Sequence, residues 1–194
     1  MRTVYDFLVS PIGNDRYNNV KKIGDKELIL NTEVFNHQHV NREALVLSIP
    51  CAYKTDIKVG DKVIVHHNVF RRTHNMKGLG VNSRSYYKEN QYFISPDQMY
   101  MHNNGGEWKT LPGWCFVKPL LSKDKFNQDK EIPLMGIVKY TDGTVKKEEL
   151  VGFSPDSEYE FVINGERLYR VYSKFITIKY EYQGNEEEYN PSWA

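Results

Sequence analysis

Two pairs of histidines are the residues of this sequence whose type and spacing come nearest to a chemical site. His37 and His39 are separated by one residue, and His66 and His67 are adjacent. If the fold brought these pairs together, they could bind a metal ion, because imidazole nitrogen is a common zinc ligand. No cysteine pair or carboxylate stands at a matching spacing. We therefore expect surface or strand histidines and no metal site.

The other reactive side chains do not form a catalytic motif. Cys115 lies within the apolar segment WCFVKP, which predicts a core thiol and not an activated nucleophile. Asp156, Glu158 and Glu160 alternate with other residues, as on the wet face of a strand. The sequence contains no G-x-S-x-G, no phosphate-binding glycine loop and no H-E-x-x-H. It predicts a protein that is not an enzyme and has no catalytic residues or cofactor of its own.

The composition is that of a β-rich globular protein. The chain of 194 residues has 14 tyrosines and 9 phenylalanines, types that favour strands. Its formal net charge of +1 supplies no global field for binding nucleic acid or a membrane surface. No apolar run approaches the roughly 20 residues of a transmembrane helix, and the N-terminus lacks the apolar core of a signal peptide. We expect a cytoplasmic protein in which Cys51 and Cys115 are reduced, buried thiols.

Short strand-like segments follow one another along the whole chain. FLVSPI, EALVLSI, DKVIVHH, GIVKY and FITIKY are separated by clusters of Gly, Pro, Asn and Asp. Asn164-Gly165 lies between two such segments and predicts a β-hairpin. No segment has the pattern of a three-turn amphipathic helix. The predicted fold class is all-β, built as small barrels or a sandwich.

The strand pattern occurs twice in the sequence. Four segments of the first half resemble four segments of the second half in the same order, at offsets of about 108, 92, 88 and 77 residues. The matched segments are 7–12 with 115–120, 42–48 with 134–140, 59–65 with 147–153, and 92–101 with 169–178. The sequence therefore predicts two copies of one strand plan.

The repeated plan resembles the GroES-type co-chaperonins, the chaperonin-10 family. The segment IKVGDKVIV is similar to the family's VKVGDxVLF strand, and VNREALVLSIP is similar to its TRGEVLAVG segment. SEYEFVINGERLYRVYSKFITI is similar to its closing hairpin and final strand. The resemblance implies two tandem GroES-like small β-barrels, at 1–108 and 109–182, followed by an acidic polar tail at 183–194.

The resemblance also points to a binding segment in the first barrel. In the family, an apolar triplet in a mobile loop binds the chaperonin. Leu28, Ile29 and Leu30 stand in the corresponding place, within a polar segment of about 13–40. Gly13 and Gly24 are the expected hinges of this loop. The second barrel has no comparable triplet.

An ordinary strand is the alternative interpretation of the triplet. In that case Leu28 and Leu30 would face the core and Ile29 would face a neighbouring element.

The function implied by the resemblance is that of a co-chaperonin. Chains would assemble into a homo-oligomeric ring that caps a GroEL-like chaperonin ring, over a cavity in which non-native substrate proteins fold. The chaperonin would consume ATP, and this chain would bind none. Tandem forms are known in plastids and phages, and a composition rich in Tyr, Asn and Lys favours a phage-encoded protein in the bacterial host cytoplasm.

A basic insert, residues 70–91, has no counterpart in the family. With Tyr86 and Tyr87 it could contact phosphates and stack on bases, or it could face an acidic chamber or substrate. The alternative is a solvated hairpin with Gly78 and Gly80 at its tip, and we expect no nucleic-acid partner. The basic residues of this possible contact surface are Arg71, Arg72, Lys77, Arg84 and Lys88.

Two other functions fit an all-β chain of this kind. The barrels could belong to a phage virion structural or assembly protein, with the triplet buried against a neighbour. They could also form a monomeric oligonucleotide-binding protein that uses the basic insert. The tail is of a kind that is usually disordered, although Trp193 could dock on a neighbouring subunit.

Overall fold

In the described part of the chain, strands account for the regular structure apart from short 3-10 turns. The computed structural model describes residues 2–18, 20–29, 39–123, 131–181, 184 and 186–191. The prediction of an all-β protein is confirmed. Among the described residues, no helix has the length and apolar character needed to cross a membrane. The chain divides into two units, Met1–Trp108 and Lys109–Ala194.

The first unit contains one main antiparallel sheet and two small hairpins. Within the unit the main sheet has the order β10-β5-β4-β1-β9-β8, whereas β2 pairs with β3 and β6 pairs with β7. The strands are β1 (Phe7–Pro11), β2 (Val20–Ile23), β3 (Lys26–Ile29), β4 (Glu43–Ser48), β5 (Lys62–Val65), β6 (Thr73–His74), β7 (Gly80–Val81), β8 (Tyr86–Lys88), β9 (Gln91–Ile94) and β10 (Met99–Asn103).

The second unit is built around an antiparallel sheet with the order β15-β16-β12-β13-β14-β17. The strands of this sheet are β12 (Trp114–Leu121), β13 (Glu131–Tyr140), β14 (Leu150–Phe153), β15 (Glu158–Ile163), β16 (Glu166–Tyr172) and β17 (Ile176–Tyr180). The unit also contains the short strand β11 (Lys109–Thr110), which is not part of this sheet. Along the described residues the hydrogen-bonded order of neither main sheet closes on itself.

The strand order of the two main sheets is the same. Taken in chain order, six strands of the first unit correspond one by one to six strands of the second: β1, β4, β5, β8, β9 and β10 correspond to β12, β13, β14, β15, β16 and β17. A 3-10 turn precedes the last strand in both units, at Pro96–Gln98 and at Ser173–Phe175.

The pairing register is repeated as well. Val9 pairs with Val46 in the first unit. The offsets of about 108 and 92 residues match these two residues to Val117 and Val138, which also pair. The register shift that precedes Val9 recurs before Val117. Because a one-residue slip would turn each side chain to the opposite face, equal register means that equivalent residues face equivalent sides.

The cores show this equivalence directly. Five residues of the core of the second unit are buried, and so are the five residues at the equivalent positions of the first unit. They are Cys115, Val117, Val138, Val151 and Val171 in the second unit and Phe7, Val9, Val46, Val63 and Ile94 in the first. Full burial of such an apolar side chain contributes about 1.5–3 kcal/mol. Alternate residues of four strands thus hold each sheet in register.

The two cysteines differ in environment. Cys115 is fully buried, as predicted, and its Sγ lies 3.3 Å from the Ser173 hydroxyl. Cys51 is exposed, so the prediction of a buried thiol is wrong at this position. Its segment lies beyond the end of β4, where it does not enter the core.

The hairpin predicted at Asn164-Gly165 is present between β15 and β16. Both residues have positive φ, 53° and 77°, as a two-residue type I′ turn requires. The prediction of a hairpin here is confirmed.

A half-buried aspartate, Asp142, ties three strand ends of the second unit together. The Gly113 N–H and the Ser173 hydroxyl each donate to Asp142 Oδ2 at 2.8 Å, and the Thr144 N–H donates to Oδ1 at 3.0 Å. Burial alone would raise the pKa of Asp142, but these hydrogen bonds outweigh it and hold the pKa below its ordinary value of 3.8.

The acidic tail is part of the second unit. Glu188 forms a β-bridge with Leu120, the Tyr189 N–H donates to the Pro119 carbonyl, and the Leu121 N–H donates to the Glu187 carbonyl. The expectation of disorder is therefore wrong for residues 186–191, and Trp193 lies outside the described residues.

A buried lysine explains why this tail segment is held. Lys118 is 2% exposed, and its ammonium donates to Asn190 Oδ1 at 3.1 Å. The Arg167 N–H donates to the same oxygen at 2.9 Å. Because a buried charge needs hydrogen-bond acceptors, the tail amide, together with Glu166 Oε2 at 4.0 Å, compensates an otherwise costly cation.

Candidate functional site

The segment that contains the apolar triplet extends from the main sheet of the first unit through a paired stem. Tyr17 forms an antiparallel bridge with Val40, and the Asn18 N–H donates to the His39 carbonyl at 2.7 Å. The Asn41 N–H donates to the Arg16 carbonyl at 2.9 Å. The two arms of the segment are thus joined where they leave the main sheet.

Asn41 fixes this stem from inside. Its side chain is buried, and Nδ2 donates to the carbonyls of Ile12 and Asp15 at 3.0 and 2.9 Å. Its Oδ1 accepts from the Glu43 N–H at 2.9 Å. One amide therefore links the end of β1 to the start of β4. Sequence reasoning missed this residue, whose only local signal is an Asn placed just before a strand.

Beyond the stem, residues 20–29 form a small β-hairpin. Val20 pairs with Ile29 and Ile23 pairs with Lys26. Gly24, with φ of 60°, lies at the tip between the two strands. Because side chains alternate along each strand, Val20 and Ile29 share one face and Ile23 lies on the other face with Leu28.

The apolar side chains of this hairpin are exposed on both faces. Leu28 is 51% exposed and Ile29 is 60% exposed, and Val20 and Ile23 are exposed as well. The alternative interpretation placed Leu28 in the core, which the structure contradicts, although Leu28 and Ile29 do lie in a strand. Leu30 lies outside the described residues, as do 19 and 31–38 of the predicted loop.

The predicted hinge glycines occupy turns. Gly13 has φ of 76° in the 3-10 turn after β1, and among the described residues no atom lies within 4 Å of a Cβ built on it or on Gly24. Positive φ favours glycine at both positions. Gly24 lies at the hairpin tip, so only Gly13 lies at the base of the segment, and hinge motion at either residue stays a prediction.

The basic insert folds as a short hairpin followed by a sheet strand. Its tip contains Gly78, where the Asn75 side chain accepts from the Lys77 and Leu79 N–H groups, and Gly80 lies in β7. Arg71 is half-buried, while the other predicted basic contact residues are exposed; these are Arg72, Lys77, Arg84 and Lys88.

The two tyrosines of the insert pack on the main sheet. The Tyr86 ring lies edge-on to Tyr92 with centroids 5.7 Å apart, and Tyr87 packs against Phe93 at 4.9 Å. Tyr86 and Tyr87 nevertheless stay exposed, at 37% and 47%.

Stem and insert meet through Arg16 and Tyr17. Arg16 Nε donates to the Phe70 carbonyl at 2.9 Å, and its Nη1 donates to Asn82 Oδ1 at 2.7 Å. The Arg72 N–H donates to the Tyr17 hydroxyl at 2.8 Å. Sequence reasoning did not single out Arg16 or Tyr17, because their partners lie more than 50 residues away.

The histidines do not converge on a metal site in the described part of the chain, where no group of three or more potential ligands occurs. His66 and His67 stack with centroids 4.2 Å apart, and His66 Nδ1 accepts from the Asn68 N–H. His37 lies outside the described residues.

Comparison with known proteins does not assign the chain. No family model matches it, and no curated protein matches it. The resemblance to GroES-type co-chaperonins therefore rests on the sequence segments alone.

Proposed function

We propose that this protein is a co-chaperonin that caps a chaperonin ring and assists ATP-dependent protein folding. The observation that carries the proposal is the exposed apolar hairpin, Val20–Ile29, held on a clamped stem. An exposed apolar surface of this kind typically marks a site of protein interaction. The tandem units would be GroES-like barrels, and the hydrophobic grooves of a GroEL-like partner would receive Leu28, Ile29 and Leu30.

The energetics suit a reversible cap. Full burial of a Leu or Ile side chain contributes about 1.5–3 kcal/mol, so a side chain already half-buried gains about half of that. Ordering the tether costs several kcal/mol. A single hairpin would therefore bind weakly, whereas a ring of hairpins would bind tightly through effective concentration and still release stepwise.

Ring assembly is supported by the edges of the sheets. β17 is the last strand of its sheet, and Ile178 and Tyr180 on it are exposed. An edge strand with exposed apolar side chains needs cover, and a second copy of the chain would provide it in a closed ring. The hairpin occurs between β1 and β4, whereas only residues 122–130 join the equivalent strands β12 and β13. Residues 122–130, SKDKFNQDK, contain no apolar triplet, so one triplet per chain would face the chaperonin.

The test compares two matched charge insertions. Ile29→Asp places a carboxylate on the hairpin, and Val59→Asp places one on a turn at almost the same exposure, 61% against 60% for Ile29. Each protein is mixed with a purified bacterial chaperonin, with and without ATP, and the complex is measured by native mass spectrometry.

We expect nucleotide-dependent binding of the wild type and of Val59→Asp, and loss of binding by Ile29→Asp. Absence of binding by the wild type, or equal binding by both variants, would contradict the proposal. Recovery of the protein in purified virions, together with no chaperonin binding, would favour the structural alternative.

A further inference from the structure

An open cleft of about 600 Å³ lies in the first unit where the stem meets the basic insert. Arg16 and Tyr17 of the stem line one part of it, and Arg72, Tyr86 and Tyr92 line another. The cleft is distinct from the apolar hairpin and is mostly polar in its lining.

Arg16 is held in place with one donor group unused. Its Nε and Nη1 are bound to the Phe70 carbonyl and to Asn82, and its guanidinium carbon lies 5.5 Å from the centre of the Tyr92 ring. Its Nη2 is buried and has no hydrogen-bond partner among the described residues. A buried donor without an acceptor is costly, which points to a water or ligand oxygen at this place.

Arg72 brings a second guanidinium to the same cleft. Its backbone is fixed by the Tyr17 hydroxyl, and its Nη2 would lie 3.2 Å from a Cβ at Gly80, so its side chain lies over the β6–β7 hairpin. Asp15 and Glu89 also line the cleft. Within the described chain, no carboxylate lies within 4.0 Å of either guanidinium.

Tyr92 also lines the cleft, beside both guanidinium groups. Burial raises the pKa of Tyr92, while Arg16 and Arg72 both oppose that rise, so both cations act at its hydroxyl. A phenol that stays protonated at neutral pH can donate a hydrogen bond to an anion.

We propose that this cleft binds a phosphoryl group, carried by inorganic phosphate or by a small phosphorylated ligand such as a nucleotide. Planar guanidinium groups pair with phosphate oxygens through charge-assisted hydrogen bonds, and a tetrahedral phosphoryl group accepts donors from several directions. Asp15 and Glu89 in the lining disfavour a ligand with many negative charges. The volume leaves room for the organic part of a monophosphate.

Binding would couple the stem to the insert, because Arg16 and Arg72 belong to different segments of the chain. The Arg72 and Asn18 amides, which bond to Tyr17 and His39, would then exchange more slowly with solvent. The proposal is independent of the co-chaperonin role, since the hairpin lies outside the cleft.

The experiment titrates the full chain with inorganic phosphate, a nucleoside monophosphate and the matching nucleoside, at constant ionic strength, by isothermal calorimetry. Arg72→Gln removes a cation from the cleft, and Lys77→Gln removes one from the exposed tip of the same insert. Arg72 is chosen because its side chain is exposed, whereas Arg16 also supports the Phe70 carbonyl.

We expect the wild type to bind phosphate, the monophosphate or both in a saturable way, and not to bind the nucleoside. The Kd should be at least about tenfold higher for Arg72→Gln than for Lys77→Gln. Phosphate alone would identify an inorganic anion site, and tighter binding of the monophosphate would identify an organic ligand. No saturable binding by the wild type, or equal affinity of the two variants, would overturn the proposal.

Discussion

Replacing Asn41 by alanine tests how the stem is held. The substitution removes three hydrogen bonds, to the Ile12 and Asp15 carbonyls and from the Glu43 N–H, at a position that is 3% exposed. Each bond contributes about 1 kcal/mol, so Asn41→Ala should lower the free energy of unfolding of the first unit by about 3 kcal/mol. With an m-value of about 2 kcal/mol/M, the urea midpoint falls by about 1.5 M.

The assay is urea unfolding followed by NMR, which reports the first and second units through separate amide signals. Asn104→Ala is the matched control, because Asn104 belongs to the same unit and is exposed. It should shift the midpoint by less than about 0.3 M, as surface substitutions usually change stability by under 0.5 kcal/mol. If Asn41→Ala unfolds at the urea concentration of the wild type, the stem does not depend on this amide and the argument fails.

Three further predictions concern the second unit and the repeat. A Cβ on Gly136 would lie 2.3 Å from the Lys118 carbonyl oxygen, so Gly136→Ala should destabilise the second unit by about 3 kcal/mol. Ala44 is at the equivalent position of the first unit, and Ala44→Gly should cost about 1 kcal/mol. Both changes are measured by urea unfolding. The pKa of Asp142 is lower in the folded state than its ordinary 3.8, so its carboxylate stabilises the fold above that pH and loses this effect as the pH falls through the folded value. In Asp142→Asn the stability of the second unit should therefore change less between pH 5 and pH 2; an unchanged acid titration would contradict this. Asn190→Ala removes the nearest acceptor of the buried Lys118 ammonium and should cost about 1.5 kcal/mol in the same urea assay. An unchanged urea midpoint would contradict this.

The strand plan and the equivalence of its two copies could be predicted from the sequence. The offsets of about 108 and 92 residues that match Phe7 to Cys115 and Ala44 to Gly136 also reproduce the observed pairs. This works because burial alternates with period two along a strand, so matched apolar patterns imply matched register.

The polar contacts of the candidate sites could not be predicted in this way. Arg16 bonds to the Phe70 carbonyl 54 residues away, and Asn41 reaches the end of β1. Such contacts depend on tertiary placement and leave no periodic pattern. The prediction of a disordered tail was wrong for the same reason. The composition of the tail indicates disorder, but its position beside Lys118 provides a hydrogen-bond partner.

The shared register has a consequence for how the gene can change. Ser48 and Tyr140 occupy equivalent places, since they pair with Leu8 and Phe116. Unequal recombination that joined Ser48 to Thr141 would delete one whole copy in frame. It would leave β1 and β4 beside β14 to β17, a full complement for a single sheet that still bears the hairpin. The reciprocal product would carry three copies in tandem. In the shorter product β4 would pair with β14 in place of β5, in the register that β13 and β14 now share.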